Sequence, residues 1–247
     1  RHSFPTRRSS DLSANWGTGQ IGILLENGAN HSLVGGVAVG AGNTVVNAGQ
    51  GGIFLTGIGV LGATSTDNAF LGNTVYNSAG LGIDLGNDGV TLNDAVDADT
   101  GPNNLQNFPV LATARTDGSS QLLLTGTLNS SASSYYRIEF FASTAQDSTG
   151  YGEGQRYLGY ANVATNASGN ATISTTLSAS VAVGEFISAT ATKSDATYTT
   201  FTDTSEFARN VAAVHSSGPM SVFSDPGGNL PNTLTKTQGE SLPYFAI

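Results

Sequence analysis

Between residues 13 and 85 the apolar positions recur at a fixed interval. Gly22-Ile23-Leu24-Leu25, Gly52-Ile53-Phe54-Leu55 and Gly82-Ile83-Asp84-Leu85 lie thirty residues apart, twice over. Asn43-Thr44-Val45-Val46-Asn47 and Asn73-Thr74-Val75-Tyr76-Asn77 keep the same interval. A third apolar unit falls between them, Ser32-Leu33-Val34 in one turn and Ala69-Phe70-Leu71 in the next. No window here runs ten residues without a glycine, and the i, i+3, i+4 spacing of an amphipathic helix is absent. Hairpins also use short strands and Gly turns, but they do not require the same residue at the same phase of a rigid period. A coil does, because residues one period apart stack about 4.8 Å above each other.

The pattern therefore predicts a right-handed parallel β-helix end of about two to three coils. Ile23, Ile53 and Ile83 form one inward column, and Leu25, Leu55 and Leu85 another. The Asn residues flanking each N-T-V unit fit corners, where Asn tolerates a left-handed backbone. Leu24, Phe54 and Asp84 make the outward column. Its two apolar members are either ordinary exposed hydrophobes or a face covered by the next domain.

After Leu85 the period stops. Residues 86–107 hold four aspartates and no basic residue. An open solenoid end invites strand pairing unless capped, so this loop is expected to be the cap of a 13–107 unit. From residue 108 to 209 the alternation becomes strand-like in seven runs: 110–114, 122–128, 136–140, 157–163, 171–177, 187–191 and one near Phe207. Short strands at this density predict an immunoglobulin-like β-sandwich, giving an all-β chain overall. In the third run Tyr136, Ile138 and Phe140 point inward, which places Arg137 and Glu139 on a solvated face. Ala167-Ser168-Gly169-Asn170 reads as a hairpin turn. Residues 210–247 read as a linker. Within them Leu230-Pro231-Asn232-Thr233 approaches a sortase anchor motif, but Leu234 stands where Gly is required.

Composition narrows the function. Charged residues make up 11% of the chain, against about 25% in an average soluble domain, so hydroxyls and amides carry its solubility. A net charge of −9 argues against a nucleic-acid partner. No apolar run reaches the length of a membrane span, and the absence of Cys excludes thiol chemistry. Residues 1–12, RHSFPTRRSSDL, carry three of the nine basic residues and no β pattern. They resemble translated sequencing-adapter sequence at the end of a metagenomic reading frame and are read as a non-native leader.

Candidate chemistry is sparse. Asp97, Asp99 and Asn103 surround a Gly at alternate positions, a spacing that lets oxygens converge on Ca²⁺. The full calcium-loop pattern, with a bidentate Glu, is missing, and a solvated acidic turn is the plain alternative. Between Ser13 and Asn107 there is no Lys or Arg, so these coils lack the base of a pectate-lyase-like site. Glu26, Asp67 and Asp84 are the acids of the coils, placed too far apart in phase to form the carboxylate pair of a glycosidase. His31 sits alone at a corner, and no Ser-His-Asp set, HExxH or phosphate loop is present.

The stretch from Asn73 to Phe108 resembles the closing coil of bacterial right-handed β-helix repeat surface proteins. So do Arg137-Ile138-Glu139-Phe140-Phe141, Gly150-Tyr151-Gly152-Glu153-Gly154-Gln155 and Thr204-Ser205-Glu206-Phe207. The resemblance implies a secreted or surface-attached multidomain protein in which a β-helix precedes a sandwich module. Relatives of that kind often carry a Cys near position 146, where this chain has Gln146. Two functions follow as expectations. The first is a non-catalytic extracellular scaffold or adhesin fragment whose partner is a polysaccharide or another cell-surface component. The second is the C-terminal part of a carbohydrate-active β-helix enzyme whose site lies on coils upstream.

Overall fold

The computed structural model describes residues 21–55 and 64–216. Over these residues the chain is all-β, with one short 3₁₀ turn at Pro102–Leu105. The leader, the 217–247 stretch and the anchor-like motif lie outside them.

Three parallel ladders carry the repeat. Strands β1 (Ile21–Leu25), β4 (Gly51–Leu55) and β7 (Ile83–Leu85) pair in that order, with Ile23 opposite Ile53, Ile53 opposite Ile83, and Leu25, Leu55 and Leu85 in line. β3 (Thr44–Val46) pairs with β6 (Thr74–Tyr76) at thirty residues. β2 (Leu33–Gly35) pairs with β5 (Ala69–Leu71) at thirty-six, Val34 opposite Phe70. The six extra residues fall between β4 and β5. Asn47 and Asn77 both have φ of 57°, the left-handed corners expected of Asn. Asn73 Oδ1 accepts from the backbone and side-chain nitrogens of Asn43, both at 3.0 Å, so the corner side chains form a ladder of their own.

The inward columns are dry: Ile53, Leu55, Val75 and Leu85 are buried. The glycine that opens each repeat has a packing reason. A methyl on Gly22 would strike Val45, and one on Gly52 would strike Val75. The third member, Gly82, meets Phe207 of the second half of the chain. Phe207 thus fills the place that a valine fills one repeat earlier, and with Phe141 it joins the core between the ladders, the two rings edge-on at 5.3 Å. In the outward column Phe54 is 4% exposed and Leu24 45%. That face is covered at one coil and open at the one before it.

The second half is an eight-stranded mixed sheet. Its strands are β8 (Val110–Thr116), β9 (Leu122–Asn129), β10 (Tyr135–Ser143), β11 (Arg156–Ala164), β12 (Asn170–Leu177), β13 (Phe186–Ser194), β14 (Phe201–Thr204) and β15 (Val211–His215). They run β11-β10-β13-β15-β8-β9-β12, with β14 on β13. All pairs are antiparallel except β15 with β8. The sheet curls until it is nearly closed, like a barrel. Leu122, Leu124, Tyr136, Ile138, Phe140 and Ile173 fill it, each fully buried. Six of the seven expected runs become β8 to β13, whereas the strand expected at Phe207 lies earlier, at residues 201–204. β15 occupies residues expected to be linker. It bridges β13 and β8, so the sheet would open without it. Residues 167–170 form a turn but not a hairpin, because β11 pairs with β10 and β12 with β9.

Truncating the plug should be costly. Phe207→Ala is expected to lower the unfolding free energy by about 3–5 kcal/mol, the usual loss for a buried Phe, while Leu24→Ser should stay within about 0.5 kcal/mol. Urea unfolding of both variants measures the difference; equal midpoints would show that Phe207 closes no core.

Candidate functional site: the junction and the acidic loop

The three parallel ladders end at the outer edges of β5, β6 and β7, whose backbone N–H groups have no further strand to pair with. Left buried and unpaired, each such group is destabilising by about 1–3 kcal/mol. Side chains of the second sheet accept them one after another. Asp67 N donates to Asp203 Oδ1 (2.7 Å), Phe70 N to Thr204 Oγ1 (2.8 Å) and Gly72 N to Glu139 Oε2 (2.7 Å). Ser78 N donates to Glu153 Oε1 (2.9 Å). Leu85 N and Thr91 N donate to the two oxygens of Glu206, both at 2.9 Å. Between them Val75 and Gly154 exchange a pair of backbone bonds at 2.9 Å. Gly154 is required there because a methyl would enter the Phe141 and Phe207 rings.

Two expectations are corrected here. The 86–107 loop is not the main cap: it contributes Asn103, while the second sheet supplies most of the acceptors. Arg137 and Glu139 do not face water. They are 5% and 0% exposed, and Arg137 Nε donates to Glu139 Oε1 at 2.8 Å. The guanidinium also donates to Tyr157 Oη (3.0 Å) and lies 3.5 Å from the centroid of the Tyr160 ring. The period-two reading placed them correctly opposite Tyr136, Ile138 and Phe140. It missed that the opposite face is covered, by the coil. The one signal available was Phe141, a large apolar residue on that same face.

The acidic loop is rearranged relative to expectation. Asp94, Asp97 and Asp99 bring carboxylate oxygens within 4.8 Å of one another. Asn103 is elsewhere and fully buried. Its amide nitrogen donates to Asn68 O (2.7 Å) and Thr204 O (3.0 Å), and its Oδ1 accepts from Asn68 N (3.0 Å). The backbone at Val96 and Asp97 is left-handed, φ 58° and 59°, which folds the chain back and brings Asp94 to the pair. Asp97 accepts from Asn107 N (2.7 Å) and Ser130 Oγ (2.8 Å), and Asp94 accepts from Ala98 N. Asp99 Oδ1 is buried with no hydrogen-bond partner among the described residues. Burial raises the pKa of Asp97 and of Asp99, and the neighbouring Asp94 raises both further.

The acids of the coils do not converge. Glu26 is exposed. Asp67 faces His31 across two corners at 3.4 Å, the imidazole largely in solvent. Asp84 is buried and accepts from Asp88 N at 3.2 Å. No helix among the described residues is long and apolar enough to cross a membrane. No protein-family model matches the chain, and no curated protein is significantly similar to it.

The junction carboxyls share one electrostatic character. Burial raises the pKa of Glu139, Glu153 and Asp203. It lifts Glu206 to about 8; the bonds from Leu85 and Thr91 pull the other way, while Asp84 and Asp88 add to the rise. A folded-state pKa above the unfolded value gives stability that is complete below the unfolded value and lost as pH rises through the folded one. Thermal stability is therefore expected to fall from about pH 5 to pH 9, a window set by Glu206. Glu206→Gln should flatten that fall. A melting temperature that rises across this window would contradict the assignment.

Proposed function

We propose that this chain is a non-catalytic extracellular scaffold or adhesin segment, the end of a right-handed parallel β-helix closed by an immunoglobulin-like sandwich. The parallel ladders at thirty and thirty-six residues support the first part. For the second, β12-β9-β8-β15 and β11-β10-β13-β15 are two strand sets joined through one shared strand, the arrangement of a sandwich whose first and last strands run parallel. One observation carries the functional reading. The buried acids Glu139, Glu153, Asp203 and Glu206 accept backbone N–H groups across the junction, a use that holds two units rigidly. Catalysis by paired carboxylates needs them about 5–9.5 Å apart across an open cleft. A cell-surface setting fits the resemblance of the Arg137–Phe141, Gly150–Gln155 and Thr204–Phe207 wording, all three segments of which lie at this junction.

Incubating the protein with neutral and acidic polysaccharides should release no new reducing or unsaturated ends. Turnover that survives Glu153→Gln and Glu139→Gln would place an active site elsewhere on the described coils and overturn the reading.

The acidic loop fits a calcium ion in part. Asp94, Asp97 and Asp99 offer three carboxylates, of the six to eight oxygens such an ion takes, and the unpartnered Asp99 Oδ1 is an available ligand. A bound cation would relieve their mutual repulsion. Millimolar CaCl₂ is expected to raise the melting temperature, and Asp99→Asn to abolish the increment. No response to Ca²⁺ or to chelator would leave the loop as an ordinary acidic turn.

A further inference from the structure

The apolar core between the ladders and the second half of the chain meet at a small cavity. Val75 and Ile83 line it from one side, Phe141 and Phe207 from the other. It leaves about 10 Å³ for the centre of a water-sized sphere, room for one such molecule. Two polar side chains share its wall: Asn73, just before β6, and Thr190, midway along β13. Both are buried, at 4% and 1% exposure.

The protein does not use up the hydrogen-bonding capacity of either residue. Thr190 Oγ1 is buried with no partner among the described residues. The hydroxyls two positions away on the same face of β13 are both paired. Ser188 Oγ donates to Ala208 O (2.7 Å), and Thr192 Oγ1 lies 2.9 Å from Thr204 Oγ1. Asn73 is short of one bond. Its Oδ1 accepts from Asn43 N and Nδ2, and its own Nδ2 donates to Val34 O at 2.9 Å. An amide nitrogen carries two hydrogens, so one is left over. Buried polar groups are seldom left in this condition, because each has given up a bond to solvent on folding.

The chemistry of the wall selects the occupant. Cavities that stay empty are apolar, whereas polar ones take up water. The spare amide hydrogen disfavours a cation, and the volume admits no larger molecule. A water can accept from Asn73 Nδ2 and complete a second bond with the Thr190 hydroxyl, which either donates or accepts. Two partners suffice, since buried waters make two to four bonds.

From this accounting we infer that the cavity binds one water molecule, which bridges Asn73 Nδ2 and Thr190 Oγ1. The bridge ties the ladders to the second sheet through the middle of the apolar core, apart from the backbone bonds of the edge. It stands for a scaffold and for an enzyme alike.

Nuclear magnetic resonance of the full chain tests it. Rotating-frame spectra should show cross-peaks from a long-lived water to the Asn73 side-chain amide and the Thr190 methyl. Thr190→Ser keeps the hydroxyl and should keep the Asn73 cross-peak. Thr190→Val keeps the shape and loses the hydroxyl, and the sign of its effect is decisive. With the water in place, valine strands the Asn73 hydrogen, so the cross-peak disappears and the melting temperature falls by about 2–6 °C. In a dry cavity valine removes an unsatisfied hydroxyl, and the melting temperature rises. That rise, or a parent protein with no water cross-peak at Asn73, would overturn the inference.

Discussion

The structure depends on how the last strand edge is satisfied. Parallel strands stacked in ladders pair their backbone groups with the strand on either side except at the ends, and an end buried without partners forfeits more than a marginally stable domain can lose. Here five side-chain acceptors, one backbone bridge and a buried Asn take the place of a further strand. Phe207 does the same for the core, entering the space over Gly82 that Val75 enters over Gly52. The second half of the chain thus acts on the ladders in two roles, as hydrogen-bond partner and as apolar lid.

This requirement explains why acids are buried where one would expect them in water. Glu139 is tolerable because it accepts from Gly72 and from Arg137, whose own charge lies against Tyr160. Glu206 has no such cation among the described residues; two backbone donors hold it, and nearby Asp84 and Asp88 work against it. Paired or fully bonded acids of this kind contribute orientation as much as stability. Breaking one partner leaves the other exposed to the full desolvation penalty.

Much of the fold was legible in the sequence, and the boundary of legibility has a physical cause. The Ile and Leu columns, the Asn corners and the strands β8 to β13 follow from local periodicity, which depends on neighbours in the chain or one period away. What stayed hidden depends on long-range partners. Arg137 and Glu139 have the alternation of a solvated face, and only the docked coil makes that face an interior. β15 is short and isolated, so its role in closing the sheet comes from β13 and β8 rather than from its own residues. Asn103 was grouped with Asp97 and Asp99 by spacing, yet two left-handed residues turn the loop and exchange it for Asp94.

Since the cap grips main-chain N–H groups, it takes little account of the side chains of the coils beneath it. Its demands on sequence are confined to the final turn: a glycine at 82, an open edge at 67–72 and 78, and the start of the acidic loop. Outward side chains elsewhere in the parallel ladders could change without disturbing that junction. A contact read through the main chain leaves the repeat's own surface free to vary while the join stays the same.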